Sequence, residues 1–133
     1  MNKSQMDLFN TYLDLFSKKS FANVATVMKD GSPQVTPVWV DYDGEYILIN
    51  TAKGRQKMNN LERDPRIALA IQDPDNPYRK LIVRGIVVEE TEQGADVHID
   101  KLAKKYTGVD TYQNCVPGMV RMIVKIKPEH VSG

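Results

Sequence analysis

One cysteine, two histidines and one tryptophan are all that this chain of 133 residues holds of the side chains most often recruited for chemistry. A lone Cys115 excludes an intrachain disulfide and fits a reducing cytoplasm. No pair of His or Cys stands at metal-ligand spacing, so no metal site is expected. His98 lies on a helix rich in charge and His130 near the chain's end, and both read as surface residues. Charge of one sign is missing as well: 18 basic against 17 acidic residues leave +1, which argues against a general nucleic-acid binder. No apolar run is long enough to span a bilayer. The opening "MNKSQMDLFNTYLDLF" lacks the uninterrupted apolar core of a signal peptide. Nucleophile elbows and phosphate-loop signatures are absent too. The expectation is one cytoplasmic domain over residues 1–133, large enough to fold without disulfides or metal.

What is present is strand, turn and a little helix. Residues 4–18 repeat apolar positions at helical spacing, with Ser4 and Asp7 placed as a capping box. The period then shortens, and Asp30-Gly31 and Asp43-Gly44 read as hairpin turns joining strands at 21–29, 33–41 and 45–50 into a meander. Pro33 and Pro37 cannot donate to a ladder, so the second of these strands belongs at an edge or carries a bulge. A short helix at 55–63 stops at Asp64-Pro65, and "RIALAIQD" follows as a buried strand. The "PDNP" loop has too much proline for regular structure. A long strand through "YRKLIVRGIVVEE" bulges at Gly85. A helix from Thr91 to Tyr106 ends at Gly108. The last strand alternates Val120, Met122, Val124 and Ile126 with Arg121, Lys125 and Lys127. About six antiparallel strands with few helices predict a mainly β (α+β) small barrel flanked by helices. The interior of such a barrel is filled by its own side chains, so a large flat ligand belongs outside it or between two copies.

Three segments could serve a ligand. In "NTAKGRQKMNNLERDP", Lys53, Arg55 and Lys57 surround Gly54 at the mouth of a helix. Backbone N–H groups at such a turn, the helix dipole and a forked guanidinium together suit an anion, although solvated surface charge has the same spelling. In "PQVTPVWVDY", Gln34, Thr36 and Trp39 flank a proline that frees a main-chain group for a planar heterocycle; Trp39 reads equally well as core. "DPDNPYRK" presents Tyr78 beside Arg79 and Lys80, which suits stacking plus anion binding and also an ordinary connection.

Taken in series, "PQVTPVW", "NTAKGRQKMNNL" and "DPDNPYR" resemble strings of the flavin- and deazaflavin-binding split β-barrel family. That family includes the pyridoxamine 5′-phosphate oxidases and the oxidoreductases dependent on coenzyme F420, a deazaflavin. The similarity runs from about Phe21 to His130 and is closest to the deazaflavin branch. The resemblance implies a homodimer with a cofactor in each groove between subunits. It implies that Gln34, Val35, Thr36 and Pro37 line the ring, and that Asn50, Thr51 and Ala52 meet the ring edge and ribityl chain. Arg55 and Lys57 would grip the phosphate beside Met58 and Asn60, with Tyr78 and Arg79 supplied by the opposite subunit. The implied function is hydride transfer from reduced F420 to a small conjugated acceptor, with no catalytic side chain identified. The alternatives are an FMN-binding flavoprotein of the same fold and a non-catalytic carrier or sensor. The vitamin-forming oxidases extend into a C-terminal segment with Arg and His that this chain, ending "KPEHVSG", does not show. Pyridoxamine phosphate oxidation is therefore not expected. An oligonucleotide-binding barrel is disfavoured by the charge balance and by the lack of a basic-aromatic strand face.

Overall fold

A computed structural model describes residues 1–133. Seven antiparallel strands form one sheet in the order β2-β1-β5-β6-β7-β4-β3. They are β1 (Phe21–Val27), β2 (Pro33–Trp39), β3 (Asp41–Tyr42), β4 (Ile47–Ala52), β5 (Arg66–Asp73), β6 (Asn76–Thr91) and β7 (Arg121–Ser132). Three helices accompany them: α1 (Lys3–Asn10), α2 (Gln56–Arg63) and α3 (Ala95–Thr107). None is long and apolar enough to cross a membrane.

The order of strands explains the shape. β2 and β3 are the two edges of the sheet, yet only Val40 separates them in sequence. A single residue cannot bridge the width of a flat seven-stranded sheet. The sheet is therefore rolled, its edges are brought close without pairing, and the result is a split half-barrel. This corrects the expected meander, because β2 pairs with β1 alone and the chain leaves it to start the opposite edge. The edge position of β2 is as its two prolines required.

The corner at Val40 belongs to no ladder, so its buried backbone groups need other partners. The side chains of α3 supply them. The Tyr106 hydroxyl accepts from the Val40 N–H at 3.0 Å and is also bonded to the Ser20 carbonyl. Lys105 Nζ donates to the carbonyls of Val40 (2.8 Å) and Phe16 (2.7 Å). The apolar face of α3, with Ile99, Leu102 and Tyr106, covers one end of the sheet's outer surface and packs on Trp39 and Tyr112. The main core lies on the inner surface, where Ile47, Ile49, Leu69, Ile71, Leu81, Val124 and Ile126 are fully or almost fully buried.

Local signals mostly act where they stand. At Gly44 (φ 99°), the Asp43 carboxylate accepts from the N–H groups of Glu45 and Tyr46. The register of β6 against β7 shifts at Arg84/Gly85, and a methyl at Gly85 would strike the Lys127 carbonyl, so the bulge requires glycine. Four expectations change. Asn2, not Ser4, caps α1, which gives way at Thr11 and is followed by a 3-10 turn over Leu13–Phe16. The proline-rich connection is a tight hairpin after Asp73, and Asn76 and Pro77 already belong to β6. α3 begins at Ala95 because Thr91 still pairs with Ile123. β7 runs on to Ser132, so His130 sits in a strand opposite Arg84 rather than in a tail.

Candidate functional site

β3 pairs with β4 only at Ile47 and Leu48, so residues 49–52 have no strand neighbour on that side. A groove of about 210 Å³ opens there between β4 and the edge strand β2. Pro37, Val38, Trp39 and Phe21 form one wall. Asn50, Thr51, Arg55, Lys57 and Arg121 form the other, and Tyr112 and Asn114 close it from the loop after α3.

The cationic wall is built by a turn and two elements. Gly54 (φ 92°) reverses the chain after β4, and Lys53 N–H donates to the Val120 carbonyl at 2.8 Å, tying the turn to the start of β7. Arg55 then precedes α2, whose first turn has no side-chain cap. The leading N–H groups of any helix lack intrahelical acceptors, so this end of α2 presents free donors and the positive pole of its dipole. Lys57 is buried, and no carboxylate pairs with it. Burial, then the charges of Arg55 and Arg121, lower its pKa.

Arg121 stands opposite Ala52 in the β4–β7 ladder and is also buried. Its Nε donates to Asn50 Oδ1 at 2.8 Å, Nη1 reaches Met119 Sδ, and the guanidinium lies 5.2 Å from the centre of the Tyr112 ring. It has no carboxylate partner either. Chiefly because it is buried, its pKa is lowered. The Thr51 hydroxyl is buried beside these cations with no hydrogen-bond partner. Cations and a hydroxyl left without partners in the same place suit an anionic, oxygen-rich group. The facing wall suits something flat and apolar, since Trp39 is fixed by stacking on Tyr106 (5.1 Å, 8°) and edge contact with Tyr112 (6.0 Å, 84°).

Of the residues singled out in the sequence, the groove gathers Pro37, Trp39, Asn50, Thr51, Arg55 and Lys57. Gln34, Val35 and Thr36 lie further along the same edge strand, with Val35 exposed and Gln34 near the Thr26 hydroxyl. Ala52 is buried at the end of β4. Met58 is wholly enclosed in the core. Asn60 is enclosed too, donating to Thr26 Oγ1 and Met28 Sδ and accepting from Gln56. Tyr78 is 89% exposed at the start of β6, outside the groove. Arg79 is held within its own chain by Asp14, Asp73 and the Thr11 carbonyl, over the Tyr12 ring.

Arg121 and His98 escaped the sequence reading. Arg121 belongs to the polar phase of β7, and its side chain does lie on the outer face; α3 and the following loop cover that face at this end. His98 is buried, not exposed, and bonded to Asp41 and Asn50. Its spacing was the available signal: it stands three residues after Ala95 and four before Leu102, on the helix's covered face.

A family model described as pyridoxamine 5′-phosphate oxidase matches residues 9–133. A solved structure named F420 reductase is 33% identical over 90% of this chain and 94% of its own, with a TM-score of 0.78. The Mycobacterium tuberculosis protein Rv2991, described as a conserved hypothetical protein, is 26% identical. That match covers 98% of this chain and 82% of the other, with a TM-score of 0.67. HutZ, a heme storage protein from Vibrio cholerae, shares the fold with a TM-score of 0.65 at 14% identity, over 92% of each chain.

Proposed function

The chain belongs to the pyridoxamine 5′-phosphate oxidase family, and from that premise we propose that it is an F420-dependent reductase acting on a small conjugated acceptor. The observation that carries the reading is the unpaired trio of Arg55, Lys57 and Arg121 beside an orphaned Thr51 hydroxyl, facing an aromatic wall. The likeness to the F420 reductase favours the deazaflavin over FMN.

In this reading Lys57 and Arg121 hold the cofactor phosphate. Arg55 adds a forked contact from the rim, with the uncapped start of α2 behind it. Thr51 Oγ1 serves a hydroxyl of the sugar-like chain. Pro37 and its edge strand support the ring, while Trp39, stacked on Tyr106, keeps that side of the groove dry. A bound deazaflavin would supply hydride-transfer chemistry at its C5 carbon, which explains why the groove needs no acid–base dyad of its own. The groove is smaller than the roughly 300–1,000 Å³ of most sites that enclose such a ligand. A second copy of the chain supplies the missing cover, from a surface that includes the exposed Tyr78. The protein is thus proposed to act as a homodimer.

FMN in place of F420 is the second reading, favoured by the family itself. The test is to mix the protein with reduced F420 or reduced FMN and a panel of conjugated acceptors, following cofactor oxidation by absorbance. Acceptor-dependent oxidation of F420 is expected. Binding without acceleration by any acceptor would leave a carrier or sensor, and would end the claim of catalysis.

A further inference from the structure

Four buried or half-buried polar groups run in line from the far side of α3 to the groove. Asp41 Oδ2 meets His98 Nε2 at 3.1 Å, and His98 Nδ1 meets Asn50 Nδ2 at 3.2 Å. Asn50 Nδ2 also donates to the Ala95 carbonyl at 2.9 Å, and Asn50 Oδ1 accepts from Arg121 Nε at 2.8 Å.

The donors and acceptors permit one assignment. Arg121 is donor only, so the Asn50 carbonyl must face it. The Ala95 carbonyl is acceptor only, so the Asn50 amide nitrogen must face it. That nitrogen then presents its second hydrogen to His98, whose Nδ1 must accept. Nε2 therefore carries the imidazole proton and donates it to Asp41. The network is complete only with neutral His98.

A proton added at Nδ1 would oppose the Asn50 amide, donor against donor. Turning the amide over would satisfy His98, but would set oxygen against the Ala95 carbonyl and N–H against Arg121. We propose that His98 is a positioning residue for Arg121: acting through Asn50, neutral His98 aims the guanidinium at the groove, and protonated His98 releases it. The consequence for ligand binding rests on the reading of the groove given above; the relay itself does not.

The charges that bear on His98 come from three elements. Asp41 on β3 touches it directly. Lys101, 3.4 Å from the same carboxylate, and Lys105 on α3 act on Asp41. Arg121 on β7 acts through Asn50, and the exposed Asp96 at the start of α3 bears on Arg121 only through its charge. Histidine is the side chain that ordinarily changes charge within about pH 5–8, and that general range sets the limits of the test.

The test is a nitrogen-15 NMR titration of the ligand-free chain from about pH 8 to about pH 5. It follows the His98 ring nitrogens and the Arg121 Nε–H. At the upper end His98 should show the tautomer protonated at Nε2. On acidification the Arg121 signal should shift and exchange faster with the same midpoint as His98. An Arg121 signal that ignores protonation of His98 overturns the relay, as does a His98 that stays neutral throughout with Arg121 unmoved. His98→Asn keeps an acceptor for Asn50 and takes up no proton, and His98→Gln serves if that variant folds poorly. In either variant the Arg121 signal should be flat. Between the same pH limits, wild-type affinity for F420 or FMN should fall about fivefold to tenfold more than the variant's. An equal fall in both would refute the effect on binding. Failure of both ligands to bind at any pH would instead count against the proposed function, and the NMR result would still decide the relay.

Discussion

Lys57 and Arg121 reach one groove from different elements, α2 and β7, and each is buried without a carboxylate to balance it. Such an arrangement weakens the empty fold and favours any anion that enters it. Function and stability should therefore pull in opposite directions here.

Replacing Lys57 with Met exposes that conflict. Its folded pKa lies below the ordinary lysine value, so the charged form is disfavoured by folding and its removal should stabilise the chain at neutral pH. The melting temperature of the ligand-free variant should rise above that of wild type. Binding of phosphate-bearing cofactors should weaken. A lower melting temperature would mean that Lys57 has a stabilising partner.

Tyr106 holds the corner where the sheet changes edges. Burial is the chief reason its phenol is pushed up to about 12, so it stays a neutral hydroxyl. Tyr106→Phe keeps the ring stacked on Trp39 but leaves the Val40 N–H and the Ser20 carbonyl without this partner. The cost should be about 1–3 kcal/mol in urea unfolding. A loss below the error of the fit would show that the corner has another way to satisfy its backbone.

Asp41 makes the fold sensitive to acid. Burial alone would raise its pKa, but hydrogen bonds from His98 and the Tyr42 N–H, with Lys101 nearby, bring it from 3.8 to about 2. A carboxylate depressed on folding stabilises fully above its unfolded pKa, and that stability is lost as pH falls through the folded value. Wild type should lose about 2 kcal/mol from this group between pH 3.8 and about 2. Asp41→Asn should lack that component. Parallel stability curves for the two proteins would remove Asp41 from the acid response.

Much of the chain's path was legible because it follows from local chemistry. Pro33 and Pro37 place β2 at an edge, Asp43-Gly44 makes its turn, and Gly85 makes its bulge wherever the strands go. The anion-holding turn at Arg55 and Lys57 was legible for the same reason. What escaped depends on which distant element covers a surface. Strand alternation gives two faces to β7 and cannot reveal that α3 lies over Arg121 but leaves Lys127 in water. The break between β2 and β3 escaped too, since a one-residue corner at Val40 is stable only because Tyr106 and Lys105, far along the chain, bond its backbone.

A groove with one open side predicts association. Sedimentation velocity at micromolar concentration should show a dimer, and flavin-type cofactor, where retained, should travel with it. Monomers that keep the cofactor would show that one chain encloses it.

The most direct test is equilibrium titration of F420 and FMN into wild type and into the Arg55→Ala, Lys57→Ala double variant, read by cofactor fluorescence. Charge-assisted hydrogen bonds contribute roughly 1.5–3 kcal/mol each, so the double variant should bind at least a hundredfold more weakly, about 3 kcal/mol. Wild type should prefer F420. Equal affinity in wild type and double variant, or no binding of either cofactor to wild type, would contradict a phosphate held between α2 and β7.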